Sequence, residues 1–463
     1  MKSIKLLIVV FLFCSTSSLL AQEPVRQMNI VKDIKSQDAM MLLPLPYAQY
    51  EMGQRYNLMD CIEVALEANF AVRIARKQLE VTKNNVTLAP FLPSLSATAR
   101  QSQTYNHSNQ EYADNSKAHI DSQTDDYRVG ATFSWRLFDG FAMFSSYERQ
   151  KELLQSGELT FRSGVETMVM DLSNQYYQII TIQNQVNLVQ QLVDISRLRY
   201  ENALLKYNIG TISGLECQQA RTYFNADSSS LIVQKQNLKN AYIRFYRMMG
   251  VPYDSKIVVR DTIVPETGLI LDDLWASALE KNTELLLMRQ GQVISEYDLK
   301  LARASRYPTL DFTSGYTVSA VNTPLATSTR YNQTNGLNWG FNVSIPIFNG
   351  FNTTRQIRNA RLNVERTTLQ YEQKEHQLQG ALLQEYIVYT DNLQMIQFET
   401  QNAEVAFSNV EAAMERYRLG SLSGIEFRDI QLSYLNAVDR KLRAIYQAKL
   451  SEVALLLLAG AIF

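Results

Sequence analysis

Apolar and polar residues alternate almost without fault in four stretches of this chain. From Arg128 to Leu137, Val129, Ala131, Phe133, Trp135 and Leu137 fall on one face, and Arg128, Gly130, Thr132, Ser134 and Arg136 on the other. Leu337, Trp339, Phe341, Val343, Ile345 and Ile347 alternate with Asn338, Gly340, Asn342, Ser344, Pro346 and Phe348. Two shorter partners precede them, one through Leu95, Ala97 and Ala99, the other through Leu310, Phe312, Tyr316, Val318 and Ala320. Period two sustained over about ten residues predicts tilted strands with one face to lipid and one to water. A soluble sandwich alternates as well. The polar stretches 106–126 and 321–336 read as long loops joining each strand pair, which favours a membrane barrel with long outer loops. Four strands leave two open edges, which hydrocarbon does not tolerate. The barrel is therefore expected to be shared between chains. Two copies would give eight strands and three would give twelve, and the pattern alone does not choose.

The rest of the chain carries a helical period. From Phe141 to Tyr207 there is no proline, and the glycines, Gly157 and Gly164, fall early. One helix over that length would reach about 100 Å at 1.5 Å per residue. Its counterpart, Phe351 to Tyr417, holds only Gly380, and Leu215–Met249 and Ile425–Ala459 follow without glycine or proline. Val165, Met168, Leu172, Ile179, Ile182, Val186, Val189, Val193, Tyr200, Ala203 and Tyr207 occupy heptad a and d positions, with Gln175 and Ser196 as polar exceptions. A period of 3.5 residues implies left-handed coiling against neighbouring helices.

These pieces occur twice. Phe138-Asp139-Gly140-Phe141 returns as Phe348-Asn349-Gly350-Phe351, and the turn Tyr207–Gly214 returns as Tyr417–Gly424, at one constant offset. A repeat fixes architecture before any single motif does. Each half reads helix, strand, outer loop, strand, very long helix, tight turn, helix. Pro93 and Pro308 stand where helix gives way to strand, because proline cannot continue a helix. Asp139-Gly140 and Asn349-Gly350 stand where strand returns to helix. The expected division is a signal segment at 1–21, a lead-in at 22–57, a first repeat at 58–250, a linker at 251–270 and a second repeat at 271–463. The fold class is mainly α with a membrane β-barrel: four strands per chain, continued by a helical tube.

Composition narrows the function. Lys2 and Lys5, the apolar run Leu6–Phe13 and Ala21 before Gln22 form a secretory signal. Phe13 before Cys14 argues against lipid attachment there. A net charge of -1 does not suit a nucleic-acid binder. His107, His119 and His376 lack metal-ligand spacing, and no cofactor motif or nucleophile elbow is present. Cys61 and Cys217 fall in separate elements and are not expected to pair. The chain reads as a non-enzyme; a barrel enzyme acting through outer loops would have only His107, His119 and scattered aspartates to draw on.

Taken in order, Leu58–Asn69, Pro90-Phe91-Leu92-Pro93-Ser94-Leu95, the two Phe-Asp/Asn-Gly elbows and the two turns resemble a TolC-type outer-membrane factor over residues 56 to 460. The resemblance implies a homotrimer, and so a twelve-stranded barrel continued by an α-helical coiled-coil barrel. It implies the exit duct of an efflux pump or type I secretion system, working with a periplasmic adaptor and an inner-membrane transporter of the RND or ABC class. It also implies an equatorial belt, for which 252–272 and the N-terminal stretch are the candidates. The chain ends just after its last helix, so the C-terminal part of that belt is expected to be missing. A trimeric envelope spacer without transport is the alternative reading.

The turns carry the candidate site. Gly210 and Gly420 suit left-handed helix caps, Ser213 and Ser423 can cap the next helices, and Glu216 and Glu426 suit the positive ends of those helices. The resemblance adds roles: Glu426 and Asp429 as an acid ring at the channel constriction, Glu216 and Tyr417 as a hydrogen-bond latch. Gly210, Thr211, Ser213, Gly214, Gly420, Ser421, Ser423 and Gly424 become adaptor-docking tips. Where the family carries a basic latch residue this chain has Leu422, which leaves Arg418 or Arg428 as substitutes.

Overall fold

A computed structural model describes residues 55–461, apart from 256, 260 and 325–328. The chain divides into two units, 1–51 and 52–463, and the description concerns the second. The expected signal segment and nearly all of the lead-in lie outside the described residues.

In order, the elements are β1 (Arg55–Tyr56), α1 (Leu58–Ala68), α2 (Phe70–Asn84), β2 (Ser94–Glu111), β3 (Lys117–Phe138), α3 (Ala142–Asn208), α4 (Gly214–Met249), β4 (Val258–Val259), α5 (Leu271–Lys281), α6 (Thr283–Ala304), β5 (Thr309–Asn322), β6 (Tyr331–Ser344), α7 (Asn352–Arg418) and α8 (Gly424–Leu458). From α1 to α4 and from α5 to α8 the same succession runs twice. The two very long helices are equal at 67 residues each. None of the described helices is long and apolar enough to cross a membrane.

β2, β3, β5 and β6 form one antiparallel sheet in that order. Its register places Leu95 opposite Phe133, Trp135 opposite Phe312, and Phe312 opposite Phe341. The apolar sets of all four strands therefore share one face, and Thr132, Thr313 and Asn342 share the other. A slip of one residue would invert every side chain, so this face-wide agreement fixes the register. Leu337, Trp339, Phe341 and Val343 remain mostly exposed on the β6 end of that face. The outer edges of β2 and β6 have no strand beside them within the described chain.

The first loop expectation is corrected. Residues 106–126 are not a loop: β2 runs to Glu111, β3 starts at Lys117, and only Tyr112–Ser116 connects them. Pairing of β3 with β5 begins at Asp125 and Asn322, so the outer part is a free-standing two-stranded ribbon. The ribbon is polar on both faces, so it carries no hydrophobic period to betray it. Its turn is held by Asn115 at φ 66 and by Ser116, whose N–H donates to Asp114 at 3.0 Å. The second loop is also shorter than expected, because β5 extends to Asn322 and β6 begins at Tyr331. Ile345 and Ile347, in contrast, leave the ladder after the last pair, Thr309 with Ser344. Pro346 between them has no N–H to donate.

Both strand-to-helix elbows use two successive left-handed residues: Gly140 and Phe141 at φ 69 and 68, Gly350 and Phe351 at φ 64 and 62. A phenylalanine is rarely found there. Its ring packs edge-on against the phenylalanine three positions earlier, at 5.3 Å in the first elbow and 5.4 Å in the second. Asp139 and Asn349 accept from the N–H groups of Met143 and Thr353 in the first helical turn.

The single helix expected at the start of each half is two helices. Asn69 and Asn282 stand between them in extended conformation. Each ends one helix and caps the next, accepting from Val72 N–H and Leu285 N–H respectively. The same side chains donate to the carbonyls of Met248 and Leu458, at the far ends of α4 and α8. One asparagine thus joins three helix ends in each half. Around the first joint, α1 packs with α3, α4, Ile257 and Val259 into the larger core. Around the second, α5 packs with α7 and α8. Burial pushes the Cys61 thiol in the larger core up to about 12, which keeps it protonated and unreactive.

Gly250 and Gly460 let the chain leave these joints at φ 75 and 67. A Cβ at Gly250 would stand 2.4 Å from the Ala68 carbonyl oxygen, whereas one at Gly420, also left-handed, would meet nothing within 4 Å. Gly420→Ala is expected to cost the about 1–2 kcal/mol of a left-handed side chain alone. Gly250→Ala should cost clearly more, and thermal unfolding of the two variants side by side checks the order.

Candidate functional site at the helical turns

The turns after α3 and α7 are built alike. In the first, Gly210 N–H donates to Tyr207 O at 3.0 Å and Thr211 N–H to Lys206 O at 2.9 Å. In the second, Gly420 N–H donates to Tyr417 O at 3.1 Å and Ser421 N–H to Arg416 O at 2.9 Å. This paired pattern needs a left-handed residue, and Gly210 and Gly420 supply it at φ 80 and 76. The Thr211 and Ser421 hydroxyls donate to the same Lys206 and Arg416 carbonyls. Ser213 and Ser423 then cap α4 and α8, accepting from the N–H groups of Glu216 and Glu426 at 3.2 Å each.

The two turns differ in what the acids do. Glu426 reaches back to accept from Ser423 N–H at 3.0 Å, closing a capping box. Its hydrogen bonds with Ser423, the backbone one first, hold the carboxyl below the usual glutamate value. The cap is therefore complete above that usual value and is lost as pH falls through the lowered one. Glu216 and Asp429 are exposed on α4 and α8. Tyr417 stacks on Phe427 with ring centroids 5.3 Å apart, and no hydrogen bond joins it to Glu216 within one chain. Arg418 pairs with exposed Glu415 at 3.0 Å. Gly214 and Gly424 open α4 and α8, and Gly424 is constrained: a Cβ there would stand 2.6 Å from Arg199 Nη2.

Behind the turns lies a joint that uses Arg428, named from the sequence as a latch substitute, with partners on α3 and α4 that the motif reading missed. Arg428 on α8 donates twice to Asp227 on α4, at 2.8 and 2.7 Å. The Ser196 hydroxyl on α3 donates to the same carboxylate. Asp227 is 3% exposed, so this is a charge pair taken out of water. One helix turn along, Arg199 lies 5.1 Å from the Tyr223 ring centroid, 5.7 Å from that of Tyr417 and 6.0 Å from that of Phe427. Arg428 approaches Tyr223 at 5.4 Å. Guanidinium groups over aromatic faces contribute about 0.5–2 kcal/mol each, most when water is excluded. Together these contacts tie the α7–α8 hairpin to the α3–α4 hairpin.

A signal for this joint exists in the sequence, in the places where the repeat fails. At equivalent positions Arg199 answers Asn409, Asp227 answers Ala437, Phe427 answers Cys217 and Arg428 answers Gln218. A seam between unlike hairpins needs unlike residues, so the asymmetric positions mark it.

Removing one partner of a buried pair leaves a bare charge and costs about 3–5 kcal/mol, whereas replacing both with apolar residues costs far less. Asp227→Leu and Arg428→Leu are each expected to lower thermal stability more than the Asp227→Leu/Arg428→Leu double variant does. A double variant that simply sums the two losses would contradict the pairing.

The geometry matches known proteins on both counts. The sequence profile of the outer membrane efflux protein family matches residues 61–251 and again 274–461. The outer membrane protein TolC of Escherichia coli K12 is 21% identical over 412 residues, covering 87% of this chain and 82% of its own. The proteases secretion protein PrtF of Dickeya chrysanthemi is 21% identical over 396 residues, covering 83% and 84%. The crystal structure of the Campylobacter jejuni CmeC outer membrane channel superposes with a TM-score of 0.71 at 16% identity, over 88% of this chain and 86% of that one. With two profile matches falling on its two structural halves, the chain belongs to the outer membrane efflux protein family.

Proposed function

We propose that this outer-membrane protein is the exit duct of a tripartite efflux pump or type I secretion system, passively conducting cargo from the periplasm to the exterior. One observation carries the reading. A four-stranded sheet, apolar on one face and open at both edges, feeds through left-handed elbows into 67-residue helices. Open edges in hydrocarbon leave backbone groups without partners. Copies of the chain relieve this by pairing β6 of one with β2 of the next, and a homotrimer closes twelve strands into a barrel with outer-membrane lipid around it. The α3–α4 and α7–α8 hairpins of three chains then continue the wall as a tube in water.

In this assembly the turns lie at the tube end far from the sheet. Gly210, Thr211, Ser213 and Gly214, with Gly420, Ser421, Ser423 and Gly424, form tips that meet a periplasmic adaptor, which joins the duct to an inner-membrane transporter of the RND or ABC class. Glu426 and Asp429 from three chains form an acid ring at the constriction, and Glu216 and Tyr417 act as latch residues between hairpins. Crowded carboxylates favour cations in a pore. The names of relatives span protease secretion and an outer membrane channel, which fits a duct whose cargo is chosen by its inner-membrane partner.

Planar-bilayer recording tests both levels. The wild-type protein is expected to conduct, and a protein that inserts without conducting would be a spacer. Glu426→Ala/Asp429→Ala is expected to conduct more and to lose block by divalent cations; unchanged conductance and block would remove the acid ring from the account while leaving the duct.

A further inference from the structure

One helix turn from the Arg428 joint, a cavity of about 340 Å³ opens between α3, α7 and α8. That is within the range of small-molecule sites, about 300–1,000 Å³. Its walls are mostly apolar, with Leu192 and Val410 both buried, and Phe407 and Tyr434 form an aromatic wall at 5.6 Å between ring centroids. Gln431 also lines it and is 2% exposed, yet neither its Nε2 nor its Oε1 has a hydrogen-bond partner. A buried amide without partners has given up its hydrogen bonds with water and gained none in return. The Leu that would relieve this cost is what the same face of α8 carries at Leu435. The amide therefore has one donor side and one acceptor side available to an occupant.

The charge of the lining narrows that occupant. Asp194 lines the cavity and is exposed, and no lysine or arginine lines it. We propose that this cavity is a binding site for a small aromatic amide carrying a protonated amine. The aromatic body lies against Phe407 and Tyr434, the amide exchanges hydrogen bonds with Gln431, and the ammonium faces Asp194. All of the residues named belong to one chain, so failure of this binding and failure of the duct reading are distinguishable.

The test is equilibrium binding to the full-length protein in nanodiscs. Procainamide, a benzamide with a tertiary ammonium, is the probe. 4-Aminohippurate, the same aryl amide with a carboxylate end, is the comparison. Procainamide is expected to bind saturably at one site per chain and 4-aminohippurate at least tenfold more weakly. Gln431→Leu, which adds apolar packing and is expected to fold, should weaken procainamide about tenfold, the loss of one or two hydrogen bonds. Val410→Trp should fill the cavity and abolish binding, and Asp194→Asn should remove the preference for the cation. No saturable binding, equal binding of the two probes, or binding unaffected by Gln431→Leu would overturn the proposal. So would binding lost in Asp429→Asn but kept in Gln431→Leu, since the probe would then sit at the acid ring.

Discussion

A strand edge in hydrocarbon has no water to bond, and each unpaired backbone group there costs several kcal/mol. This constraint organises the protein. The sheet of four strands presents one apolar face and two bare edges, so the single chain cannot be the finished object in a membrane. In the proposed assembly, copies close the sheet into the wall of a barrel, and the helices that continue from its strands become the wall of a tube. The left-handed elbows at Gly140-Phe141 and Gly350-Phe351 make that continuation possible, because two left-handed residues stand directly before each long helix and redirect the chain into it. The free-standing ribbon beyond Asp125 lies past the pairing with β5, and its polar faces suit water rather than lipid.

The helical part obeys a different constraint. In a folded protein most helical stability comes from packing rather than propensity, and helices of 67 residues need that packing along their length. The structure supplies it at two levels. Asn69 and Asn282 tie the short outer helices to the ends of α4 and α8, over the larger cores. Near the turns, Asp227, Arg428 and the aromatic contacts of Arg199 tie one hairpin to the other. The first level is nearly symmetric between the halves and the second is not. That division suits a tube whose middle is a fixed girdle and whose far end has one hairpin restrained by its neighbour.

Much of this was legible in the residues. The long helices were bounded to within one residue, because Asp-Gly, Asn-Gly and the glycine turns punctuate them and heptads fill them. The apolar face of the sheet was legible because its period is two. The ribbon was not, since Asn106, Ser108 and Gln110 on one face and His107, Asn109 and Glu111 on the other are all polar, and backbone pairing with polar cross-strand contacts such as His107–Asp121 holds them. Asn69 and Asn282 were hidden inside continuous helical patterns; a cap residue in mid-helix looks like any surface asparagine. The turns were legible as caps, while the capping box that Glu426 closes with Ser423 is seen only in the structure. The Arg199 and Arg428 contacts were hidden because they depend on which hairpins meet, a relation between halves that heptad positions do not encode.

The central claim is that the open edges of β2 and β6 close on each other between three copies. Cysteine pairs scanned along Ser94–Ser102 and Gly336–Ser344, oxidised in the outer membrane and resolved under denaturing conditions, test it most directly. One register of efficient cross-links and a ladder ending at three chains are expected. A ladder that stops at two, or a chain that stays uncrosslinked and unfolds as a monomer without detergent, would contradict it.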